Sequence, residues 1–541
     1  MELNASSIVK IVRAQWCHLS AIIVSGMGFF TGAYNLFCIP AVSTLLGRLH
    51  YEEAMPLLIN AVVNGITLCG LFIGHLFFGW LGDRMGRRKV YGMTLGIMIA
   101  SSIGSGLSIG RSRSAVIASL CFFRFWLGVG IGGDYPKSAT IMAEYANTKN
   151  RGAFMAAVFS MQAIGILTGS IVAMTVSACF KAAYPERSFG LNDLVWRIIL
   201  MIGAVPAGFT FYWRMKMPES AHLPTIVAQN ARNAAADMSE LVGSSMIEDE
   251  ANTGIILRRR EPYGLFSKAF LRNHGRHLVG TMLCWFFSDI TFYSTGLFQK
   301  DVYRAVGWIK KLDDHADELE EVFQIAKAQA LIALSGTLPG CFFGILFIDR
   351  LGRRKLQVFG FFFMAVCLIG LSFAYNYFKK HWDGFLAVYT LTFFFSMLGP
   401  NATTLIVPAE SFPARMRSTC HGISAAAGKV GAIIGLIGFS YASQSSHKNS
   451  SYSYEGYFNG IGMSKAFLFL GVASCVGLLC TFLVRETNGQ ALEDSERDAI
   501  LSEYTSGPTS GSLNDSIESN HHGAESSSIV LMEPSNFGQN L

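Results

Sequence analysis

Twelve long apolar runs alternate with polar segments along the chain. Each run contains about 20 mostly apolar residues, which is the length that a helix needs to cross a lipid bilayer. The runs occupy residues 18–40, 57–80, 90–109, 115–137, 152–176, 195–213, 277–298, 327–348, 356–375, 384–408, 419–440 and 465–484. The pattern predicts an all-α membrane protein with twelve transmembrane helices in two six-helix bundles.

A long polar segment separates the sixth apolar run from the seventh and sets the predicted domain organisation. The tail is rich in Ser, Asn and Gly, a composition typical of disorder. The predicted parts are an N-terminal bundle at 1–213, a cytoplasmic central loop at 214–275, a C-terminal bundle at 276–490 and a mostly disordered cytoplasmic tail at 491–541.

Basic residues concentrate in the short connections after the second, eighth and tenth runs. They are Arg84, Arg87, Arg88, Lys89, Arg350, Arg353, Arg354, Lys355, Arg415 and Arg417. All three connections lie on the same side of the membrane, and the positive-inside rule assigns that side to the cytoplasm. Because the number of runs is even, we predict that both termini are cytoplasmic.

The composition excludes several classes of protein. Charged residues make up 15% of the 541 residues and hydrophobic residues 51%, whereas about a quarter of the residues in an average soluble protein are charged. A net charge of +6 is too small to indicate a nucleic-acid partner. The sequence offers no nucleotide-binding loop, metal-ligand cluster or nucleophile–base set, so we expect neither enzymatic activity nor a cofactor.

Two sequence features recur in the second half of the chain at a fixed distance. The motif D-R-x-G-R-R-K at 83–89 appears again at 349–355, which is 266 residues later. An acid and an arginine recur with the same spacing, as Glu144, Arg151, Glu410 and Arg417. A duplicated six-helix unit explains both features, and such duplication is typical of transporters whose halves rock about a midplane site.

The repeated charges are candidates for gating contacts at the cytoplasmic face. Acids can accept hydrogen bonds from helix N-termini, and arginines can bind helix C-terminal carbonyls. We expect Glu144 to pair with Arg151 and Glu410 with Arg417. The alternative is that these charges only determine topology. The gating candidates are Asp83, Arg84, Glu144, Arg151, Asp349, Arg350, Glu410 and Arg417.

Ionisable residues within the apolar runs are candidates for function because burying a charge in a membrane is costly. Asp289 is spaced four residues from both Trp285 and Tyr293, so the three share one helix face. Lys429 adds a positive charge in the eleventh run, and Asp134 follows a glycine stripe in the fourth.

Two neutral amides complete this candidate set, which suits a small oxyanion that binds with protons. Gln162 and Asn401 lie in two further runs. Structural alternatives remain for each residue: the acids could pair with a structural cation, the aromatic side chains could pack, the amides could link helices, and Lys429 could snorkel. We interpret Arg124, in the middle of the fourth run, as an internal clamp.

The segment around Asp134 carries a specific resemblance. It reads G-G-D-Y-P-K-S-A-T-I-M-A-E-Y-A-N at 132–147, followed by R-G-A-F at 151–154. This segment closely resembles the signature of the plant and fungal proton-coupled phosphate transporters, which belong to the major facilitator superfamily. The overall spacing is more similar to the plant branch. The resemblance implies import of inorganic phosphate with protons across the plasma membrane by alternating access.

The resemblance also implies roles for individual residues. Asp134 and Asp289 would take part in proton coupling, and Lys429 in charge balance or substrate attraction. The residues implied to form the phosphate site are Tyr135, Gln162, Trp285, Asp289, Tyr293, Asn401 and Lys429.

Three departures from the family pattern stand out. The first run reads F-F-T-G-A-Y-N at 29–35, where the family usually has F-F-T-D-A-Y-D, so Gly32 and Asn35 replace acids. Lys137 stands where the family usually has an apolar residue, and it could bind phosphate or hold Asp134 ionised. The segment 218–222 lacks the arginine expected after the sixth run.

Two other functions remain open from the sequence. A porter for sugars or other organic solutes on the same scaffold would favour more Gln and Asn side chains on the face of Trp285, Asp289 and Tyr293. A phosphate sensor that does not transport would be consistent with the missing acids at Gly32 and Asn35. Uptake measurements distinguish both alternatives from a phosphate symporter.

Overall fold

The structure, a computed structural model, is helical in the part of the chain that it describes. The described residues are 22–51, 55–110, 112–184, 189–216, 264–309, 318–378, 380–442, 462–490 and 492. Most of the predicted central loop and nearly all of the predicted tail lie outside these ranges. We found no β-strand within them.

Twelve membrane-length helices confirm the predicted architecture over the described residues. They are α1 Ile22–Tyr51, α2 Leu57–Met85, α3 Arg87–Gly106, α4 Arg113–Tyr145, α5 Arg151–Ala183, α6 Asn192–Met215, α7 Lys268–Leu297, α8 Glu318–Leu351, α9 Arg353–Phe373, α10 Trp382–Ser411, α11 Arg417–Ala442 and α12 Met463–Thr481. Ten of them have the length and hydropathy of a membrane span. The exceptions, α3 and α7, are long enough but begin with polar turns.

Helix α7 shows why an apolar run predicts the presence of a helix more accurately than it predicts where the helix ends. The predicted run starts at residue 277, but the helix starts at Lys268. The Ser267 hydroxyl accepts a hydrogen bond from the Phe270 amide at 3.1 Å, which caps the helix N-terminus. The first turns are polar, so a search for apolar residues does not detect them.

Several helices are irregular near their middle. Helix α1 bends at Cys38, two residues before Pro40. Helix α10 is interrupted at Gly399, where Pro400 starts a second helical segment that ends at Ser411. Proline removes a backbone donor, and such breaks occur in membrane proteins where the backbone is buried in protein or lines a polar site. Both breaks lie beside residues of the candidate site.

Close helix packing explains the glycine stripe of α4. A Cβ atom at Gly128 would overlap the carbonyl oxygen of Thr67 on α2. The absence of a side chain therefore allows the two backbones to touch, as is common where small residues line the contact between membrane helices.

The two sets of six helices meet along two related contacts. Helix α2 packs on α11, and α5 packs on α8. These pairs are equivalent under the internal repeat, because α8 and α11 correspond to α2 and α5. We call the end that contains the α2–α3 and α8–α9 connections the motif end, and the other end the opposite end.

We predict that the α2–α11 contact tolerates no side chain at Gly422. Its Cβ atom would overlap the carbonyl oxygen of His75 and lie 3.2 Å from the Cα atom of Gly79. Overpacking of this kind typically costs about 1–3 kcal/mol. We expect Gly422→Ala to lower the thermal unfolding temperature of the detergent-purified protein.

The matched control is Gly438→Ala on the same helix, where no atom lies within 4 Å of the added methyl group. This variant should unfold at or slightly above the wild-type temperature. Equal unfolding temperatures for the two variants would contradict the tight α2–α11 contact.

Candidate functional site

A buried ion pair joins α7 to α11. The Lys429 Nζ atom lies 2.7 Å from Asp289 Oδ2 and 3.1 Å from the Tyr293 hydroxyl. The Lys429 and Asp289 side chains are each 2% exposed. A buried charge is tolerated only when it is paired and hydrogen-bonded, and this ammonium group has both kinds of partner.

The helix face predicted from the sequence is confirmed. Trp285, Asp289 and Tyr293 are all buried and lie along the side of α7 that packs on α11. Gly428 makes room for them, because a Cβ atom there would overlap Trp285 and lie 2.9 Å from Asp289 Oδ2. The indole, carboxylate and phenol therefore form one polar stripe between the two helices.

Tyr135 brings the first half of the chain to this stripe. Its hydroxyl donates a hydrogen bond to Gln162 Oε1 at 3.4 Å, which links α4 to α5. Its ring packs edge-on against Phe29 of α1, with 4.6 Å between the ring centroids. The hydroxyl also lies within electrostatic range of Tyr293 and Lys429 in the other half.

Asn401 lies on the second segment of α10. This segment packs on α4, α5 and α7, which carry the other site residues. The amide nitrogen of Asn401 contacts Met397 Sδ at 3.2 Å. The structure therefore places Asn401 beside the site, with its amide directed at its own helix.

A second buried ion pair lies in the first half of the chain. Arg214 Nη1 is 2.7 Å from Asp134 Oδ1, and the two side chains are 1% and 0% exposed. Arg214 also donates hydrogen bonds to the carbonyl oxygens of Val24 and Ser25, which ties α6 to α1. Its guanidinium group lies over the ring of Tyr91, 4.3 Å from the centroid.

Arg214 is a residue that the sequence analysis missed. The expected arginine was sought at 218–222, outside the described residues, whereas the partner of Asp134 lies within α6. The sequence signal for Arg214 is its position as a single arginine directly after the sixth apolar run.

Lys137 is buried near Asp134, but the direct ion-pair partner of Asp134 is Arg214. The Lys137 Nζ atom donates a hydrogen bond to the Gly133 carbonyl oxygen at 2.7 Å and lies 4.9 Å from the centroid of the Phe78 ring. That Lys137 binds phosphate or helps to hold Asp134 ionised stays a prediction.

The interpretation of Arg124 as an internal clamp is confirmed. Its guanidinium group donates hydrogen bonds to the Thr67 hydroxyl at 3.1 Å and to the Asn35 carbonyl oxygen at 2.9 Å. It therefore joins α4 to α2 and to the bend of α1.

The two positions that lack acids have different surroundings. The Asn35 amide donates to the Thr31 carbonyl oxygen at 3.0 Å and accepts from the Ser102 hydroxyl at 3.2 Å. Asn35 is thus part of the helix packing. Gly32 faces α4, where a Cβ atom would lie 3.0 Å from Ile131 and 3.8 Å from Tyr135.

At the motif end, two acids bind helix N-termini across the halves, as predicted. Asp83 on α2 accepts hydrogen bonds from the backbone amides of Ser418 and Thr419 at 3.3 and 2.7 Å. Asp349 on α8 accepts from the amides of Gly152 and Ala153 at 3.1 and 2.8 Å. The four amides also obey the 266-residue offset, so the two contacts are equivalent copies.

The second predicted clamp differs from the expectation. Glu410 binds Arg353 at 2.9 Å, so the expected pair of Glu410 with Arg417 is wrong. Arg417 instead binds Glu144 of the other half at 2.9 Å. The Glu144–Arg151 contact stays a prediction.

The remaining gating candidates are one buried arginine, Arg151, and two exposed ones, Arg84 and Arg350. Arg151 donates a hydrogen bond to the Gln490 carbonyl oxygen at 3.0 Å, beyond the end of α12. Arg84 is exposed and stacks over Trp80 on its own helix, 5.3 Å from the ring centroid. Arg350 is also exposed.

The opposite end is also bridged. Lys300, on the short helix Gln299–Val306, donates hydrogen bonds to the Ser43 and Thr44 hydroxyls of α1 at 3.0 and 3.4 Å. Arg48 binds Glu321 at 3.0 Å. Contacts across the halves therefore close both ends.

The comparisons with known proteins agree with this architecture. The family model described as "Sugar (and other) transporter" matches residues 21–499. A probable inorganic phosphate transporter 1-4 of Oryza sativa subsp. indica is 52% identical over 515 residues, which cover 91% of this chain and 94% of the relative. The chain belongs to the inorganic phosphate transporter family.

Other members of this phosphate transporter family are similarly close. Inorganic phosphate transporter 1-1 of Arabidopsis thaliana is 51% identical over 93% of this chain and 98% of its own. The low affinity inorganic phosphate transporter 3 of Petunia hybrida is 52% identical over 92% of this chain and 95% of its own.

Solved structures confirm the predicted major facilitator fold of this phosphate transporter family member. The proton:xylose symporter XylE bound to 6-bromo-6-deoxy-D-glucose superposes with a TM-score of 0.63. The match covers 89% of this chain and 98% of that chain at 19% identity. An inward open XylE from E. coli gives a TM-score of 0.56 at 18% identity. At these identities the likeness concerns the fold alone.

We predict that Arg214→Met destabilises the protein and that a second substitution restores it. Arg214→Met leaves Asp134 buried without its cation, and loss of one partner of a buried pair typically costs about 3–5 kcal/mol. The double variant Asp134→Asn/Arg214→Met removes both charges. We expect it to recover most of the lost unfolding temperature in detergent.

Lys181→Met is the matched control, because the Lys181–Glu320 pair joins two helices at the surface with 45% and 32% exposure. Such pairs contribute about 0–1 kcal/mol. If the double variant is no more stable than Arg214→Met, the ion pair is not what holds α6 to α4.

We predict that alkaline pH stabilises the closed opposite end through Lys300. Burial lowers the pKa of Lys300 from its ordinary 10.5 to about 8. Separation of the halves would return this pKa toward its ordinary value. Between about pH 8 and pH 10.5 the closed arrangement binds fewer protons than the separated one, so the stability of the closed arrangement rises with pH. Below about pH 8, Lys300 is charged in both arrangements and contributes no pH dependence.

Spin labels at the exposed positions Leu58 and Tyr377 would report the distance across the opposite end. The closed population should rise between about pH 8 and pH 10. In Lys300→Gln this rise should disappear. A pH response that is equal in both proteins would contradict the prediction.

Proposed function

We propose that this chain is a secondary active transporter that imports inorganic phosphate with protons across the plasma membrane. Relatives that are about half identical over most of the chain are named as inorganic phosphate transporters. In this proposal the motif end faces the cytoplasm, because it carries the basic connections. Both termini lie on that side, and the domain boundaries are those predicted from the apolar runs.

The observation that carries the proposal is the buried Asp289–Lys429–Tyr293 group. As long as Asp289 is ionised, its carboxylate neutralises Lys429 at 2.7 Å. When Asp289 takes up a proton, the ammonium loses its counter-charge and becomes available to an anion. Binding of monoanionic phosphate then restores neutrality, so proton and anion binding favour each other in a buried site.

Neutral donors around this group complete the proposed phosphate site. Tyr135, Trp285 and Tyr293 provide hydroxyl and indole donors, and Gln162 and Asn401 provide amides. Such donors can bind the phosphate oxygens without adding charge to the membrane interior. Polar atoms that converge on one small region are typical of a substrate site between two halves of a transporter.

Asp134 is proposed as a further proton-coupling group. In the closed structure it is held by Arg214, which also bonds the α1 backbone. Proton exchange at Asp134 therefore requires α6 and α1 to shift relative to α4. This dependence would connect protonation of the first half to a change in its helix packing.

Alternating access is proposed to break the two bridged ends in turn. Release toward the cytoplasm requires loss of the helix-capping contacts of Asp83 and Asp349 and of the Glu144–Arg417 pair. Entry from outside requires Lys300 to leave Ser43 and Thr44. Each end is held by charge-assisted hydrogen bonds, which are strong enough to fix one arrangement and few enough to exchange.

We predict that Asp289→Asn reduces phosphate uptake at least about tenfold and removes its dependence on pH. The amide cannot ionise, so the site loses both the counter-charge of Lys429 and the group that carries the coupled proton. Uptake of labelled phosphate would be measured at about pH 5 and pH 8, with and without a protonophore, in cells that lack their own transporters.

The matched control is Asp383→Asn, the same chemical change at an exposed acid at the start of α10. It should leave uptake and its pH dependence unchanged. Near-normal, pH-sensitive uptake by Asp289→Asn would contradict the assigned role. If the wild-type protein reaches the cell surface and takes up no phosphate, the proposed function itself fails.

A further inference from the structure

Two buried histidines beside the candidate site each carry a ring nitrogen that the account above does not use. His75 on α2 is 0% exposed. Its Nδ1 atom lies 2.6 Å from the Leu71 carbonyl oxygen. Its Nε2 atom is buried and has no hydrogen-bond partner among the described residues.

His421 on α11 has the same arrangement with the two nitrogens exchanged. Its Nε2 atom lies 3.1 Å from the Leu405 carbonyl oxygen of α10, and the residue is also 0% exposed. Its Nδ1 atom has no partner in the part of the chain that the structure describes. Unpaired buried nitrogens of this kind are uncommon in folded proteins. A bound ligand could supply the missing hydrogen bonds.

Both rings border the proposed phosphate site. The His75 ring lies 5.8 Å from the Tyr135 ring, and the His421 ring packs edge-on against Trp285 at 5.3 Å. His75 is also within electrostatic range of His421, Lys429 and Lys137. The two histidines come from opposite halves and lie on the two helices, α2 and α11, that pack together.

The backbone contacts fix the hydrogen-bonding role of each ring. A carbonyl oxygen only accepts hydrogen bonds, so the ring nitrogen that contacts it carries the hydrogen. In a neutral imidazole the other nitrogen is then an acceptor. Two buried acceptors, His75 Nε2 and His421 Nδ1, therefore lie on rings that border a site whose other neutral groups are mainly donors.

We propose that His75 and His421 accept hydrogen bonds from the P–OH groups of dihydrogen phosphate and so select protonated oxyanions. This inference rests on the proposed function. Phosphate and arsenate monoanions carry hydroxyl groups that satisfy both acceptors. Sulfate and fluorophosphate have no hydroxyl group near pH 6.5, so their oxygens would face the nitrogen lone pairs without a hydrogen between them.

Sites built to hydrogen-bond a substrate hydroxyl discriminate strongly against analogues that lack it. The wild-type protein tests this first, by competition against labelled phosphate uptake. We expect arsenate to inhibit within about threefold of the phosphate KM. Fluorophosphate and sulfate should inhibit at least about tenfold more weakly. Equal inhibition by all three anions would overturn the proposal.

Substitutions then assign the selectivity to the two rings. His75→Leu and His421→Leu remove the acceptors. We expect each to lower the selectivity ratio, which is the inhibition constant of sulfate divided by the phosphate KM, at least about fivefold. His75→Gln and His421→Asn place an amide oxygen near the lost nitrogen and should retain most of the ratio. His277→Leu, a half-buried histidine bonded to the Leu483 carbonyl oxygen, is the matched control.

A purely structural role would lower transport without moving this selectivity ratio. If a Leu variant does not reach the membrane, its Gln or Asn counterpart and the wild-type competition series still decide the outcome. An unchanged ratio in variants that transport phosphate would overturn the histidine assignment alone. Absence of phosphate uptake by the wild type would instead refute the proposed function.

Discussion

Pairing of buried charges determines how the helices of this protein fit together. A charge in the membrane interior needs a counter-charge or hydrogen-bond partners, because water is not available to solvate it. Lys429 and Asp289 meet this requirement between α7 and α11. Arg214 and Asp134 meet it between α6 and α4. Each pair therefore fixes the contact between two helices and also creates a position where one proton changes the charge balance.

Polar groups also form the contacts between the halves. At the motif end, Asp83 and Asp349 bind backbone amides at the first turns of α11 and α5. At the opposite end, Lys300 is buried against two hydroxyl groups rather than a carboxylate. A buried ammonium group without a carboxylate in direct contact is costly, so exposure to water would favour Lys300, whereas the Arg48–Glu321 pair holds the same end together.

The sequence predicted the helices well because membrane thickness fixes their length. It also predicted that Trp285, Asp289 and Tyr293 share one face of α7, because residues four apart on a helix lie on the same side. It did not predict partners that depend on packing. Glu144 binds Arg417 of the other half, because the halves meet at α4 and α11. Arg214 and Asp134 are 80 residues apart. The open nitrogens of His75 and His421 depend on which carbonyl oxygens the rings contact.

The central claim is that protonation of Asp289 frees Lys429 for phosphate. Calorimetry of phosphate binding to the purified protein tests it most directly, in two buffers of different ionisation enthalpy at about pH 5.5, where inorganic phosphate is the monoanion. The account predicts uptake of about one proton per phosphate bound by the wild type, and none by Asp289→Asn. Phosphate binding without proton uptake by the wild type, or equal uptake by both proteins, would contradict it.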